Sequence, residues 1–191
     1  SIDRTSDGFV VRSDGATAWA SPSTPIDCGN SGTTIRLLSG ALAGTGVNAT
    51  LTGDASLCGR PMGRVCEPLR ALGANIEGRK DNGREYAPIR ISAGHFVGGT
   101  IRLDIASAQV KSALLLAGLT SGCAVEVHEP ALSRDHTEAM LAGVGMSCRR
   151  TVSAAGHSVA IPACASIEPN TSVVPGDISS AAFLIAAALI K

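Results

Sequence analysis

The sequence predicts an α/β fold built from repeated β-α-β-α-β-β units, with buried parallel helices wrapped by small sheets. Three observations carry this. A polar, turn-forming opening into an apolar helix recurs along the 191 residues. Within a recurrence, a helix apolar nearly all round, which belongs inside, is followed by an amphipathic one, which belongs on the surface. The core-forming residues are small and aliphatic: 45% of the chain is apolar but only 3% aromatic, and 22 glycines serve tight turns. Three buried helices related by the repeat would lie side by side in a pseudo-threefold arrangement, their N-termini converging on one face.

Residues 1–20 alternate loosely, with Phe9 and Val11, then Ala16, Ala18 and Ala20, about Asp14-Gly15, which predicts a hairpin. Trp19, the only tryptophan, is expected in the core. The organising stretch follows: Asp27-Cys28-Gly29-Asn30-Ser31-Gly32-Thr33-Thr34-Ile35-Arg36 leads into a helix over 33–43. Gly29 and Gly32 permit a tight turn and close backbone approach, and Asn30 or Ser31 can cap the helix. The unpaired amides of the first turn, aided by the helix dipole, make such an end an anion site. A strand at 48–52 and a loop over 53–60 precede a second helix opened by Pro61, with Met62, Val65, Leu69 and Leu72 on one side. Pro68 is expected to kink or shorten it. Strands at 75–77 and 89–92 flank the turn Asp81-Asn82-Gly83, and another strand lies at 100–104.

The pattern then restarts. Ser107-Ala108-Gln109-Val110-Lys111-Ser112 opens a second apolar helix that overlays the first with a shift of 77, setting Ser107 over Asn30. A strand at 124–128 answers 48–52. Arg134-Asp135-His136-Thr137-Glu138 answers Arg60-Pro61, with Asp135 and Glu138 spaced as a capping box, and strands are expected at 147–152 and 158–161. A third opening stands at Pro175-Gly176-Asp177-Ile178-Ser179-Ser180. The chain therefore reads as one incomplete domain with units at 27–104 and 105–174 and the start of another at 175–191; the missing initial methionine and the apolar end at Lys191 suggest a piece of something longer.

Lys plus Arg balances Asp plus Glu at 16 each, so no global field attracts nucleic acid or an anionic membrane. The six cysteines (28, 58, 66, 123, 148, 164) form no Cys-x-x-Cys pair, and the histidines do not cluster, so neither a zinc site nor a redox motif is expected. Reduced thiols, no signal-peptide pattern and an apolar run of only ten residues at 181–190 suggest a soluble cytoplasmic protein.

Anion binding must then come from placed cations. Arg60 and Arg134 each stand at the start of an outer helix, where a cation opposes the dipole, so neither serves its helix; a guanidinium grips phosphate or carboxylate through two parallel bonds. Gln109 carries a polar amide in the first turn of a buried helix and must find a partner. Lys111 and Arg36, further into their helices, read as covered surface charges. Cys58 has no neighbouring base in sequence to make it a nucleophile.

These motifs, together with Leu51-Thr52-Gly53-Asp54 and Ser133-Arg134-Asp135-His136-Thr137-Glu138, resemble the signatures of the 5-enolpyruvylshikimate-3-phosphate synthase family, also called 3-phosphoshikimate 1-carboxyvinyltransferase. The resemblance implies two similar domains, each of three such units, closing on small-molecule substrates. The implied reaction, in aromatic amino-acid biosynthesis, moves the enolpyruvyl group of phosphoenolpyruvate to the 5-hydroxyl of shikimate 3-phosphate, without metal or cofactor. It places phosphoenolpyruvate at Asn30, Gly32, Thr33, Arg60 and Gln109, and shikimate 3-phosphate at Ser107, Ala108, Gln109 and Arg134. Gly32, the smaller of the residues the family carries there, leaves room for the herbicide glyphosate. The family's Lys-Ser…Arg motif near the N-terminus and the catalytic carboxylates of the other domain have no counterpart here, so no catalytic residue is assigned and the chain alone is expected not to turn over. Two alternatives remain. UDP-N-acetylglucosamine enolpyruvyltransferase shares the donor, but it carries a reactive cysteine where Ala55 stands and lacks Ser-Ala-Gln; the other alternative is a non-catalytic anion-binding repeat module.

Overall fold

A computed structural model describes residues 1–6, 8–153, 156–164, 167 and 178–189. The chain begins with an antiparallel hairpin, β1 (Ile2–Thr5) and β2 (Gly8–Val11). It turns earlier than expected: Asp14-Gly15 instead precedes a single 3-10 turn, Ala16–Ala18, because a face bearing only alanines has too little apolar area to hold a strand. Trp19 is 40% exposed rather than in the core, which draws no fully buried residue from before Cys28.

The first unit comprises β3 (Ile26–Asp27), α1 (Gly32–Ala43), β4 (Ala49–Thr52), a short α2 (Ala55–Cys58) in place of the expected loop, α3 (Gly63–Ala71), β5 (Asn75–Asp81) and β6 (Arg84–Ser92). Its sheet has the order β3-β4-β6-β5, with β3 and β4 parallel and the other pairs antiparallel. The β5–β6 turn carries Asn82 and Gly83 at φ 47° and 73°, the left-handed pair of a two-residue hairpin loop. Pro61 does not open α3: it bridges Tyr86, and Met62 donates its N–H to Glu85 O at 2.7 Å, so the segment leaves the sheet before the helix begins. Pro68 lies within α3, which ends three residues later.

The second unit repeats this wiring: β7 (Gly99–Arg102), α4 (Ala108–Ser121), β8 (Val125–Glu129), α5 (His136–Gly143), β9 (Arg149–Ser153) and β10 (Gly156–Ile161), in the order β7-β8-β10-β9 with the first pair parallel. The aligned rows Ile26, Leu51, Ile89 and Ile101, Val127, Val159 occupy equivalent places in the two sheets. Ser31 and Ser107 are the equivalent helix caps, accepting from Thr34 N at 3.1 Å and Val110 N at 3.4 Å. The repeat offset is therefore 76, and Ser107 overlays Ser31 rather than Asn30.

α1 and α4 form the centre of the core and run in the same direction. Gln109 meets Thr33 and Arg36 at their N-terminal ends, and Thr120 Oγ1 donates to Ala41 O at 2.8 Å near their C-terminal ends. They touch backbone to backbone: a Cβ at Gly40 would lie 2.0 Å from Ala113 O. The expected trio is a pair in this structure. α6 (Ile178–Leu189) leaves Ile185 and Leu189 exposed, since no sheet of the described residues covers it. The start of the third opening, 175–177, lies outside the described residues. Among the described residues, no helix is long and apolar enough to cross a membrane.

Candidate functional site

The turn into α1 is locked locally. Asp27 accepts from Gly29 N at 2.8 Å, Gly29 takes the left-handed φ of 55°, and its carbonyl accepts from Asp54 N at 2.9 Å. Asn30 is thereby aimed between Asp54 and Arg60. Its Nδ2 donates to Asp54 Oδ2 at 2.7 Å, and its Oδ1 accepts a very short bond from Arg60 Nη2. Asp54 also caps α2 through Leu57 N at 2.7 Å. The bond from Asn30, then that from Leu57 and the charge of Arg60, hold the Asp54 carboxyl below the usual carboxylate range.

Across the gap to α4, Gln109 Nε2 donates to Thr33 Oγ1 at 2.8 Å, while its Oε1 accepts from Arg36 Nη1 at 3.1 Å. Arg36 also donates to Gly32 O at 3.0 Å. Burial first, then the like charges of Arg60 and Arg64, lower its pKa. Gly32 sits under both guanidiniums: a Cβ there would stand 2.7 Å from Arg36 Nη1 and 3.2 Å from Arg60 Nη1. Among the described residues, neither Arg36 nor Arg60 pairs with a carboxylate within ion-pair distance; their acceptors are the neutral oxygens of Gly32, Gln109, Asn30 and Ser56. Two cations held side by side by neutral acceptors at a helix N-terminus favour an anion strongly.

An open cleft of about 880 Å³ extends from this point, lined by Arg36, Arg64, Arg70, Lys80 and Arg84 with Glu67 and Glu85, and reaching Ser107 and Gln109. Ser107 caps α4, and its own N–H donates to Glu129 Oε1 at 3.0 Å. The Ala108 and Gln109 amides remain as the donors of that helix end.

A model of the family described as EPSP synthase (3-phosphoshikimate 1-carboxyvinyltransferase) matches residues 1–191. The chain belongs to the EPSP synthase family. It is 46% identical over 187 residues to the 3-phosphoshikimate 1-carboxyvinyltransferase of Bacillus licheniformis, covering 98% of this chain and 42% of that protein. Against the protein of the same name from Synechococcus sp. RCC307, identity is 52% over 171 residues, 88% of this chain and 39% of the relative. A solved EPSP synthase from Acinetobacter baumannii superimposes with a TM-score of 0.84 at 38% identity, covering 97% of this chain and 41% of that one. The chain thus spans about two fifths of the length of these relatives.

Within this EPSP synthase domain, the structure bonds Asn30 to Arg60 and, separately, ties Gly32, Thr33 and Gln109 together with Arg36; the two guanidiniums meet over Gly32, and Ser107 and Gln109 line the adjoining cleft. Arg134 is not joined to them. It lies exposed in the loop before α5, without a hydrogen bond or ion pair among the described residues. Its neighbour Ser133 donates to Glu129 Oε2 at 2.8 Å, on the same carboxylate that holds Ser107.

Two expectations are corrected here. Lys111 is not a covered surface charge: it is 2% exposed, with Nζ 2.8 Å from Glu138 Oε1 and 3.2 Å from Glu129 Oε2. The capping box is absent for the same reason. Glu138 turns inward to the buried ammonium, and Asp135 makes no cap bond but pairs with Arg150 at 2.9 Å. A buried lysine needs a countercharge more than the helix start needs a second cap. Cys58 Sγ donates to Gly53 O at 3.3 Å and, among the described residues, makes no hydrogen bond to a histidine or carboxylate side chain.

Proposed function

We propose that the full-length protein transfers the enolpyruvyl group of phosphoenolpyruvate to the 5-hydroxyl of shikimate 3-phosphate, releasing phosphate. The observation that carries this is the convergence of Arg36 and Arg60 over Gly32, beside the head of α4. Phosphoenolpyruvate is a small, dense anion with a phosphate and a carboxylate, and two fixed guanidiniums suit it. Arg60, Asn30, Gly32, Thr33 and Gln109 form its subsite, joined by Arg36. Ser107, Ala108 and Gln109 receive the phosphate of shikimate 3-phosphate at a helix N-terminus, with Arg134 closing over it.

In the reaction, the 5-hydroxyl gives its proton to a base as its oxygen bonds to C2 of phosphoenolpyruvate, and C3 takes a proton from an acid. The tetrahedral adduct then loses phosphate and a C3 proton to give the enol ether. Those proton transfers need groups poised in place, and we assign them to a second domain of the same chain rather than to these residues. The reading gives one enolpyruvyltransferase domain working in the cytoplasm, with the start of a third unit at 175–191; of the expected units at 27–104 and 105–174, the boundary moves to before β7, whose strand pairs with β8 of the second unit. Glyphosate would compete for the phosphoenolpyruvate subsite.

The test is a titration of the labelled protein with shikimate 3-phosphate, following the amides of Ser107, Ala108, Gln109 and Arg134, with UDP-N-acetylglucosamine as control. Selective shifts with the first ligand are expected. Shifts with the control alone would overturn the assignment.

A further inference from the structure

Three ionisable side chains, each at least nine-tenths buried, meet behind the proposed acceptor subsite: Lys111 of α4, Glu129 at the end of β8 and Glu138 of α5. Stability alone does not account for them. A buried ion cluster is weak evidence for stability, and well-packed apolar replacements are often neutral or better. This cluster carries two carboxylates for one ammonium, and Glu138 Oε2 is the buried side-chain oxygen without a hydrogen-bond partner among the described residues. What distinguishes it is where the spare acceptor capacity of Glu129 goes. Oε1 accepts from the Ser107 amide at 3.0 Å, and Oε2 accepts from the Ser133 hydroxyl at 2.8 Å. One carboxylate therefore spans the two backbone segments that carry Ser107 and Arg134.

We infer that Glu129 is a positioning residue that fixes the spacing between the head of α4 and the Ser133-Arg134 step, with Lys111 and Glu138 holding its carboxylate in place. The inference rests on the shikimate 3-phosphate reading for its substrate but not for its geometry. By taking the Ser107 N–H, Glu129 leaves the Ala108 and Gln109 amides facing the ligand. By holding Ser133, it sets how far the Arg134 guanidinium stands from them. A phosphate gripped from both sides needs that distance fixed, because small misplacements of binding groups are expensive. Ser112 Oγ and Thr137 Oγ1, 2.6 Å apart, add a neutral tie between α4 and α5 beside the cluster, so the helices stay docked if the charge is altered.

The experiment uses the full-length protein with Glu129→Gln and, as a milder variant, Ser133→Ala. Glutamine keeps the shape but presents an N–H donor where Glu129 accepts from Ser133 or Ser107. Both variants are expected to move the Ser107 and Arg134 resonances. They should also raise KM for shikimate 3-phosphate about tenfold or more, the loss of one charge-assisted bond's worth of alignment, while KM for phosphoenolpyruvate stays within about twofold. Unmoved Ser107 and Arg134 resonances would overturn the inference whatever the protein acts on. Equal rises in both KM values with a lowered Tm would also overturn it, leaving a structural role. If the resonances move as expected but the wild-type protein does not use shikimate 3-phosphate, the positioning role stands and the substrate assignment fails.

Discussion

At the scale of single residues, Gly32 separates function from stability. A methyl group there meets only the far ends of two flexible side chains, 2.7 Å from Arg36 Nη1 and 3.2 Å from Arg60 Nη1. The backbone can accept alanine at the first position of a helix at little cost. Gly32→Ala should therefore leave Tm unchanged or slightly raised, while, on the proposed function, displaced guanidiniums raise KM for phosphoenolpyruvate roughly tenfold in the full-length protein, about one charge-assisted bond. Steady-state kinetics beside a melting curve checks both halves, and a fall in Tm with KM unchanged would contradict the reading. Cys66 makes the opposite case, of stability without function. Fully buried in α3, its thiol is pushed from 9.0 up to about 12, first by burial and then by Glu85, with Arg70 opposing. Between those two values the unfolded chain loses the proton and the folded one keeps it, so stability falls as pH rises through that window. The loss approaches about 4 kcal/mol at most, at 1.36 kcal/mol for each pKa unit. Urea unfolding at about pH 8 and about pH 11 should show the fall, and Cys66→Ala should flatten but not abolish it, because burial also raises the Cys28 and Cys148 thiols.

Between elements, the contact that decides the fold is α1 on α4, and Gly40 is its closest point. A Cβ there would lie 2.0 Å from Ala113 O and 2.5 Å from Ala113 C, atoms of a helical backbone that cannot step aside. Gly40→Ala should lower the unfolding free energy by about 1 to 3 kcal/mol despite alanine's better helix propensity, measurable as a lower urea midpoint; an unchanged midpoint would mean the helices can part freely. Much of this level was legible in the sequence. Apolar helices, turn residues and the repeat located both buried helices, though the boundary between the units falls before β7 rather than at 104, and helix starts with placed cations pointed to the region where Arg36 and Arg60 meet. What escaped depended on partners distant in the chain. Lys111 lies in a helix otherwise read as buried, and Glu129 continues the inward alternation of Val125 and Val127. Together these two signals imply a buried ion pair, but neither is decisive without knowing that the strand end reaches the helix. Trp19 failed for the converse reason: its size suits a core, but no element supplies one for the first hairpin.

For the molecule as a whole, the charge count conceals a field. Sixteen basic and sixteen acidic residues cancel, yet Arg36, Arg64, Arg70, Lys80 and Arg84 line one cleft against Glu67 and Glu85. Glu85 is already spent on Arg70 at 2.8 Å, so the remaining balance is strongly positive. Because the total is zero, attraction of an anionic substrate is local to this face and acts over about one Debye length, roughly 10 Å at 0.1 M salt and 3 Å at 1 M. Lys80 and Arg84 stand at the hairpin end of β5 and β6, where they add to the cleft's potential without joining the Arg36 and Arg60 network. Raising salt from about 0.05 M to about 0.5 M should weaken binding of a phosphorylated substrate roughly tenfold, through the association rate more than the dissociation rate. Lys80→Gln should reduce that salt dependence and slow association while leaving the dissociation rate near its original value. Arg149→Gln, which removes a cation from β9 outside the cleft, should change neither. Stopped-flow association at several ionic strengths distinguishes these cases: if the two variants respond alike, the cleft has no field of its own, and the anion is recognised only by the guanidiniums that touch it.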